Sequence, residues 1–362
     1  MSEGRPPTTI LGFETSCDET ACAVVRHDAG GTRVLGNAIA TQVDLHEGYG
    51  GVVPEIAGRA HVERLIPVLR RALRDAGADA PKIDAVAVGH RPGLIGSLLV
   101  GVAAAKAAAF ALGVPIIGVD HVHAHLVAGL LDAEADPVFP ALGLVVSGGH
   151  TAMYRMASDI DVERIASTRD DALGEAYDKA ATILGLAYPG GPKLDALAQE
   201  QGADDRAFDL PVSRLEKGSL DFSFSGLKTA VLYEVNGVPH RPGAPERPPV
   251  PPMTDARRRD LAASFQRAAC RAIVLKITRA LEQALDREQP YRSLLVGGGV
   301  TANSRLRREL QDVAAEHDLE LRLPAMGFCL DNAAMIAGLG GRLLADGDAD
   351  DLTLRAHPSS AL

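Results

Sequence analysis

One ordered series of elements occurs twice along the chain, and that duplication constrains the fold more than any other feature. A short apolar run at 9–13 reads as a strand, followed by the polar turn Glu14-Thr15-Ser16-Cys17-Asp18-Glu19 and a second strand at 20–26. A third strand is expected at 34–40. Pro54, suited to a first helical turn, opens a helix whose apolar positions Ile56, Ala60, Leu65, Leu69 and Leu73 recur at helical spacing before Gly77 stops it. A buried strand at 83–88, a Gly-rich turn, an Ala-rich helix, a strand at 115–119 and a helix carrying His121, His123 and His125 complete the series. It restarts with strands at 141–146, 151–156 and 162–167 and a helical region over 170–184. Much later come a strand at 293–296, a helix from Ala302, a last strand at 320–323 and a helix from about Asp331. Both halves read βββαβαβα. Sequence identity between them is negligible, so only the order of elements repeats.

Two copies of this order point to an α/β architecture of the actin, Hsp70 and sugar-kinase kind, with duplicated ribonuclease-H-like lobes around a central cleft. Two unrelated α/β domains are the alternative. The first lobe is expected over 8–132 and the second over 138–332, with the helix at 333–346 packing back on the first. The first hairpin turn of each lobe then faces the cleft, where backbone donors bind phosphate. A chain of 362 residues, 46% of them hydrophobic, fills two such cores. With 4% aromatics and no Trp, those cores are aliphatic. The segment 237–252 holds seven prolines, which neither a helix nor a central strand accommodates, and reads as an exposed insertion loop.

Charge and thiol content narrow the function. A formal net charge of -10 rules out attraction of polyphosphate over the whole surface. A nucleic-acid substrate therefore needs a local basic patch or a helper subunit. Arg257-Arg258-Arg259 and Arg305-Leu306-Arg307-Arg308 are the local clusters, and solvated helix faces are their ordinary explanation. No charged-then-apolar signal pattern stands at either end. The apolar stretch 94–112 contains Gly96, Ser97, Gly101 and Lys106 and reads as a buried helix, not a membrane span. Cys17, Cys22, Cys270 and Cys329 match no zinc or disulfide framework. The expected setting is the cytoplasm, with reduced thiols and no membrane partner.

Five motifs carry candidate chemistry. In His121-Val122-His123-Ala124-His125, residues four apart share a helix face, so His121 and His125 can grip one ion while His123 points elsewhere. Solvated histidines are the plainer reading. A zincin protease requires Glu after the first His, and Val122 stands there. Ser147-Gly148-Gly149-His150-Thr151 forms the second hairpin turn, where glycines admit a phosphate or simply turn the chain. Gly297-Gly298-Gly299-Val300-Thr301-Ala302-Asn303 joins a strand to a helix, with Asn303 placed to bond a ligand or to cap. Asp171, Glu175 and Asp178 fall on one helix face, either solvated or facing a ribose, a metal or an Arg. Asp331 caps the last helix or completes a His/His/Asp metal set.

Together these motifs resemble one family, the TsaD-type tRNA threonylcarbamoyladenosine synthase subunit, formerly called O-sialoglycoprotein endopeptidase. The matching stretches include Glu14-Thr15-Ser16-Cys17-Asp18-Glu19-Thr20, Tyr49-Gly50-Gly51-Val52-Val53-Pro54-Glu55 and Val146-Ser147-Gly148-Gly149-His150-Thr151. Gly174-Glu175-Ala176-Tyr177-Asp178-Lys179, Tyr188-Pro189-Gly190-Gly191-Pro192 and Asp221-Phe222-Ser223-Phe224-Ser225-Gly226-Leu227-Lys228 match as well. The resemblance implies transfer of threonylcarbamoyl from threonylcarbamoyl-AMP to the exocyclic amine of adenosine 37, in tRNAs reading codons that begin with A. It implies one divalent metal on His121, His125 and Asp331. Iron(II) is favoured and zinc is the alternative, since two imidazoles and a carboxylate leave open positions. Nucleotide and acyl contacts fall on Val145, Val146, Ser147, Gly148, Gly149, Asp178, Gly191, Asp195 and Asn303. Glu14 and Asp18 are the candidates for proton removal. The implied partners are tRNA, a non-catalytic TsaB-like paralogue, a small TsaE-like ATPase and an upstream TsaC-like adenylate-forming enzyme.

Three departures stand out from that family. Arg91-Pro92-Gly93-Leu94, preceded by His90, replaces the usual Gly-Pro-Gly-Leu, so either the turn differs or Arg91 reaches a phosphate. Leu330 precedes Asp331 where a small polar residue is usual, and the proline-rich insertion is uncommon. A small-molecule carbamoyltransferase normally carries a second large domain, for which this length leaves no room. A scaffold paralogue lacks the metal histidines, Val122 opposes a metalloprotease, and a sugar kinase or ATPase of this fold does not need His121 and His125.

Overall fold

The computed structural model describes residues 6–77, 82–133, 135, 137–213, 215–239, 249–360 and 362. The first sheet holds β1 (Thr8–Glu14), β2 (Glu19–Asp28), β3 (Gly31–Thr41), β4 (Ala85–Arg91) and β5 (Ile116–Asp120) in the order β3-β2-β1-β4-β5. The second holds β6 (Ala141–Val146), β7 (Thr151–Met156), β8 (Val162–Ser167), β9 (Ser293–Gly297) and β10 (Glu320–Arg322) in the order β8-β7-β6-β9-β10. In each sheet the first three strands pair antiparallel and the last two join parallel. The duplicated element order is thus a duplicated topology.

The helices are α1 (Val43–His46), α2 (Pro54–Asp75), α3 (Ile95–Leu112), α4 (His121–Val127), α5 (Leu173–Ile183) and α6 (Gly190–Ala198). They continue with α7 (Ser225–Asn236), α8 (Asp255–Asp286), α9 (Ser304–Glu316) and α10 (Ala333–Asp346). Several bounds differ from expectation. The strand expected at 83–88 runs to Arg91. The helix expected from Ala302 starts at Ser304 after a 3-10 turn at Gly299–Ala302. The second half also inserts α6, α7 and α8 before β9, so the simple βββαβαβα order holds for its strands but undercounts its helices. Of the segment 237–252, the described ends have no regular structure, and 240–248 lie outside the described residues.

Three apolar cores organise these elements. One packs α2 and α3 on the outer face of the first sheet, through residues such as Leu65, Val86, Val102 and Ile116. Another packs α5 to α9 on the second sheet around Tyr177, Phe222, Phe265 and Leu294. The third lies between the sheets and joins Ile10, Ala87 and Val119 to Val145, Ala152 and Leu295 through α4 and α10. The expectation of a buried helix over 94–112 holds for one side only. Leu98, Val102, Ala105 and Ala109 of α3 are buried, whereas Leu99 is 55% and Phe110 77% exposed. By length and composition α3 could also cross a membrane, yet it packs on β4 and α2.

Two glycines set how closely the middle helices approach the sheets. A Cβ on Gly12 of β1 would stand 2.5 Å from the Ala333 carbonyl of α10. A Cβ on Gly297, at the end of β9, would collide with the carbonyl of His125 in α4. Only a residue without a side chain lets the helix that carries His121 and His125 lie directly against the second sheet. Gly297→Val is therefore expected to lower unfolding free energy by at least about 1–3 kcal/mol in urea denaturation, the usual cost of overpacking. Gly148→Ala, whose Cβ meets nothing within 4 Å, should stay within about 0.5 kcal/mol of the parent.

Candidate functional site

The site begins where β5 ends. Asp120 terminates that strand, and its Oδ1 accepts the backbone N–H groups of Val122 at 3.0 Å and His123 at 3.2 Å, capping α4. The cap makes His121 the first helical residue and puts His125 one turn later on the same side. Their rings meet edge to face with centroids 4.6 Å apart. His123 leaves this face, as its spacing predicts, and its Nε2 donates to the Asp159 carbonyl at 2.7 Å. Asp331 enters from the start of α10. Its Oδ1 lies 3.1 Å from Nε2 of His125 and 3.5 Å from Nε2 of His121. The neighbouring Asn332 does the capping instead, accepting from Met335 N at 3.0 Å, which leaves the Asp331 carboxylate for the histidines.

Glu14 lies behind His121. It is 0% exposed, accepts the Ser16 N–H, and its Oε2 lies 3.0 Å from Nδ1 of His121. A buried carboxylate behind an imidazole keeps the proton on Nδ1 and turns Nε2 towards the open side, as in carboxylate–histidine–metal arrangements. Glu14 is thus placed to orient the His121 ring. Asp18, 8% exposed in the same β1–β2 turn, stays nearer the surface. Its charge acts on Asp178 of the second lobe, so the turn faces α5 across the cleft. Glu47 and Lys193, 3.9 Å apart, span the two lobes nearby.

The electrostatics of this cluster suit a cation. Burial disfavours charge on Asp331, yet the His121 charge and the His125 hydrogen bond outweigh it and hold the carboxyl well below the usual range. Burial lowers His121, but Asp331 and then Glu14 override it and push the imidazole up to about 9. His125 is lowered by burial despite its bond to Asp331. Its Nδ1 is buried without a hydrogen-bond partner. Ligand atoms of His121, His125 and Asp331 all lie within 4.8 Å of one another. Two imidazoles and one carboxylate, already drawn together and pre-polarised, fit a divalent ion. His150, from the second hairpin turn, also feels these groups. Burial, then the charges of His121 and His125, bring it down to about 4, so it stays neutral near pH 7.

Opposite the histidines, the second hairpin turn is open. A Cβ on Gly148 or Gly149 would meet nothing within 4 Å. Ser147 ties the turn together, donating its N–H to the His150 carbonyl at 2.8 Å and accepting the His150 N–H on Oγ at 3.0 Å. Val145 and Val146 are wholly buried in β6 beneath this turn, and their side chains carry it. Asp178 accepts the N–H groups of Gly190 at 2.8 Å and Gly191 at 3.1 Å, joining α5 to the start of α6. Asp195 of α6 accepts Gln266 Nε2 at 2.8 Å, Ser304 Oγ at 2.9 Å and Ser304 N at 3.1 Å. Asn303 caps α9 through Leu306 N at 2.9 Å. These three side chains form one relay of supports beneath the second lobe's wall of the cleft.

Other expectations are corrected by pairing. Asp171, Glu175 and Asp178 do not share one acidic helix face, because Asp171 precedes α5 and Asp178 turns to α6. Lys179 Nζ neutralises the first two at 2.6 and 2.8 Å, and Lys228 lies 3.3 Å from Asp171. Most arginines of the two clusters are likewise engaged, while Arg308 is exposed. Arg305 bonds Asp205 and Glu309 at 2.6 Å each, and Arg307 bonds the carbonyls of Thr301 and Pro324. Arg257 bonds Glu234 at 3.0 Å and lies over the Phe208 ring, while Arg258 and Arg259 face Asp255 and Asp260. Arg91 turns to Asp120, with Nε 3.6 Å from its Oδ2.

Comparison with known proteins agrees with this fold. The sequence model of the family described as TsaD, tRNA N6-adenosine threonylcarbamoyltransferase, matches residues 33–338. A tRNA N6-adenosine threonylcarbamoyltransferase of Symbiobacterium thermophilum is 48% identical over 362 residues, covering 100% of this chain and 98% of that protein. One of Geobacillus kaustophilus is 48% identical over 354 residues, covering 98% and 96% respectively. Among solved structures, T. kodakarensis HypF shares the fold with a TM-score of 0.56 at 18% identity, over 96% of this chain and 49% of that one. A full-length HypF in its phosphate- and nucleotide-bound form gives 0.50 at 14% identity, over 93% and 56%. The two-lobed architecture is thus of the actin, Hsp70 and sugar-kinase kind. Full-length identity near one half, with the family model matched over residues 33–338, leaves one assignment: the chain belongs to the tRNA N6-adenosine threonylcarbamoyltransferase family.

Proposed function

We propose that this transferase takes threonylcarbamoyl from threonylcarbamoyl-AMP and delivers it to the exocyclic amine of adenosine 37, in tRNAs reading codons that begin with A, releasing AMP. The observation that carries the reading is the convergence of His121, His125 and Asp331 within 4.8 Å on one side of the cleft, opposite the open Gly148-Gly149 turn. The lobes that form the cleft are taken as 8–132 and 138–332, with the helix at 333–346 belonging to the first, because α10 packs on β1, β2 and β4.

The adenine amine is a weak nucleophile because its lone pair is delocalised into the ring, so the carbonyl must be activated and held in line. The mixed anhydride supplies a phosphate leaving group. His121, His125 and Asp331 would hold a divalent ion, which would supply Lewis-acid stabilisation of phosphate or carboxylate oxygens. Iron(II) is the favoured ion and zinc the alternative, from the mixed nitrogen and oxygen donor set. Backbone N–H groups of Gly148 and Gly149 approach the donor phosphate without side-chain interference. As the new C–N bond forms, an amine proton passes to Asp18, since Glu14 is closed off behind His121, and the C–O bond to AMP breaks. The relay of Asp178, Gly191, Asp195 and Asn303 holds the nucleotide wall. A net charge of -10 gives the chain as a whole little attraction for tRNA. A TsaB-like paralogue and a TsaE-like ATPase therefore complete the working assembly, with a TsaC-like enzyme supplying the donor in the cytoplasm.

The direct test incubates the chain and these partners with tRNA, threonine, bicarbonate, ATP and the adenylate-forming enzyme, followed by nucleoside mass analysis. Threonylcarbamoyladenosine is expected, and its absence beside an active control family member removes the reading. His121→Ala and His125→Ala should each lose stoichiometric metal and more than about 100-fold in transfer rate, beyond the range of outer-shell changes. His123→Ala should keep both, and equal metal loss in all three variants contradicts the pair. The His121 imidazole, raised to about 9, is protonated below that pH in the metal-free protein. Metal must displace the proton, so affinity should rise with pH between about 6.5 and 9, with about one proton released at neutral pH. Calorimetry in buffers of different ionisation enthalpy reads that number directly, and no release contradicts His121 as a ligand.

A further inference from the structure

The tail beyond α10 makes a series of contacts that neither its own fold nor the transfer reaction requires. It crosses the open edge of the first sheet at β5. Asp350 forms an antiparallel bridge with Ile116, donating its N–H to the Ile116 carbonyl at 2.8 Å, and its Oδ2 accepts Gly118 N at 2.8 Å. Leu354, 8% exposed, seals the edge over Gly118, where a Cβ would come within 2.7 Å of it. His90, at the end of β4, grips the next residues from both sides. Its Nδ1 donates to the Arg355 carbonyl and its own carbonyl accepts His357 N, each at 2.9 Å. Gly93 N then donates to the Pro358 carbonyl at 3.4 Å.

The run ends at the metal helix. Ser360 donates its hydroxyl to Asp120 Oδ2 at 2.6 Å. Oδ1 of the same carboxylate caps α4 through Val122 N and His123 N. Arg91, where the family usually has glycine, approaches the Ser360 side of that carboxylate at 3.6 Å. One carboxylate, 7% exposed as a residue, is therefore held on one oxygen by the tail and on the other by the first turn of the helix. At seven residues, α4 is too short to hold itself together and depends on its cap and its packing. His121 follows the cap directly, so rotation of the Asp120 carboxylate passes to the first metal-facing imidazole within one residue.

We propose that residues 350–360 are a positioning strap for the metal helix, in which Ser360, with Arg91, orients the Asp120 carboxylate and so sets the presentation of His121 and His125. Asp120, Ser360 and Arg91 are positioning residues, and their effect on metal affinity rests on the metal reading above. The capping effect on α4 does not.

The test therefore reads both in the full chain, with Ser360→Ala, Ser360→Thr and Arg91→Gly. Hydrogen exchange of the metal-free protein should show Val122 and His123 amides opening about tenfold faster in Ser360→Ala, and at the parent rate in Ser360→Thr, while the sheet core stays unchanged. Arg91→Gly should show a smaller acceleration at the same amides. Iron(II) and zinc(II) titrations should show about tenfold weaker binding in Ser360→Ala, the low end for outer-shell changes. Exchange at Val122 and His123 within about twofold of the parent in Ser360→Ala overturns the strap, as does equal acceleration throughout the chain, which marks global destabilisation. If the parent binds neither ion yet Ser360→Ala opens α4, the strap stands and the metal reading falls.

Discussion

Asp331 lies between two imidazoles from a different part of the chain, 3.1 Å from His125 and 3.5 Å from His121, and the middle of the molecule is arranged so that this meeting occurs. The carboxylate follows β10 of the second sheet and precedes α10, which packs on the first. The histidines follow β5 of the first sheet and lie on a helix that packs against β9 of the second. Both segments run through the apolar core shared by the sheets. Separating the lobes would strip the half-buried Asp331 carboxylate of both its imidazole partners. The same cluster is therefore a structural joint and a site already polarised for a cation.

Around that joint, polar groups serve first as supports. Asp120 caps one helix of the pair and Asn332 the other. Glu14 fixes the ring of His121 from behind. In the second lobe Asp178, Asp195 and Asn303 link the starts of α6 and α9. Rigid walls follow from this, beside a glycine turn at Gly148 and Gly149 that is open. Preorganisation of that kind suits a reaction whose difficulty is alignment of a weak nucleophile with an activated carbonyl.

Much of this frame is legible in the sequence because it depends on local pattern. Strand pairs with polar turns, the four-residue spacing of His121 and His125, and the Asp331-Asn332 pair are all readable within a few residues. Long-range pairing is not. Glu14 and His121 are 107 residues apart, so nothing local distinguishes a positioning carboxylate from a general base. Arg305 finds Asp205 across 100 residues, and a basic cluster on the page becomes an internal tie. Helices α6 to α8 escape notice because their apolar positions serve a core shared with a distant sheet. The exposed side of α3 is hidden for another reason. When Ala and Leu surround a helix on every side, periodicity carries no information about which face meets water.

The central claim is that His121, His125 and Asp331 together hold one divalent ion between the lobes. Anomalous diffraction from crystals grown with iron(II), recorded above and below the metal edge, tests it most directly. The account predicts a single strong peak within coordination distance of Nε2 of both histidines and a carboxylate oxygen of Asp331, with Glu14 still on Nδ1 of His121. A peak ligated by His123, or His150 with Cys17, or no ordered peak at full metal loading, would contradict it.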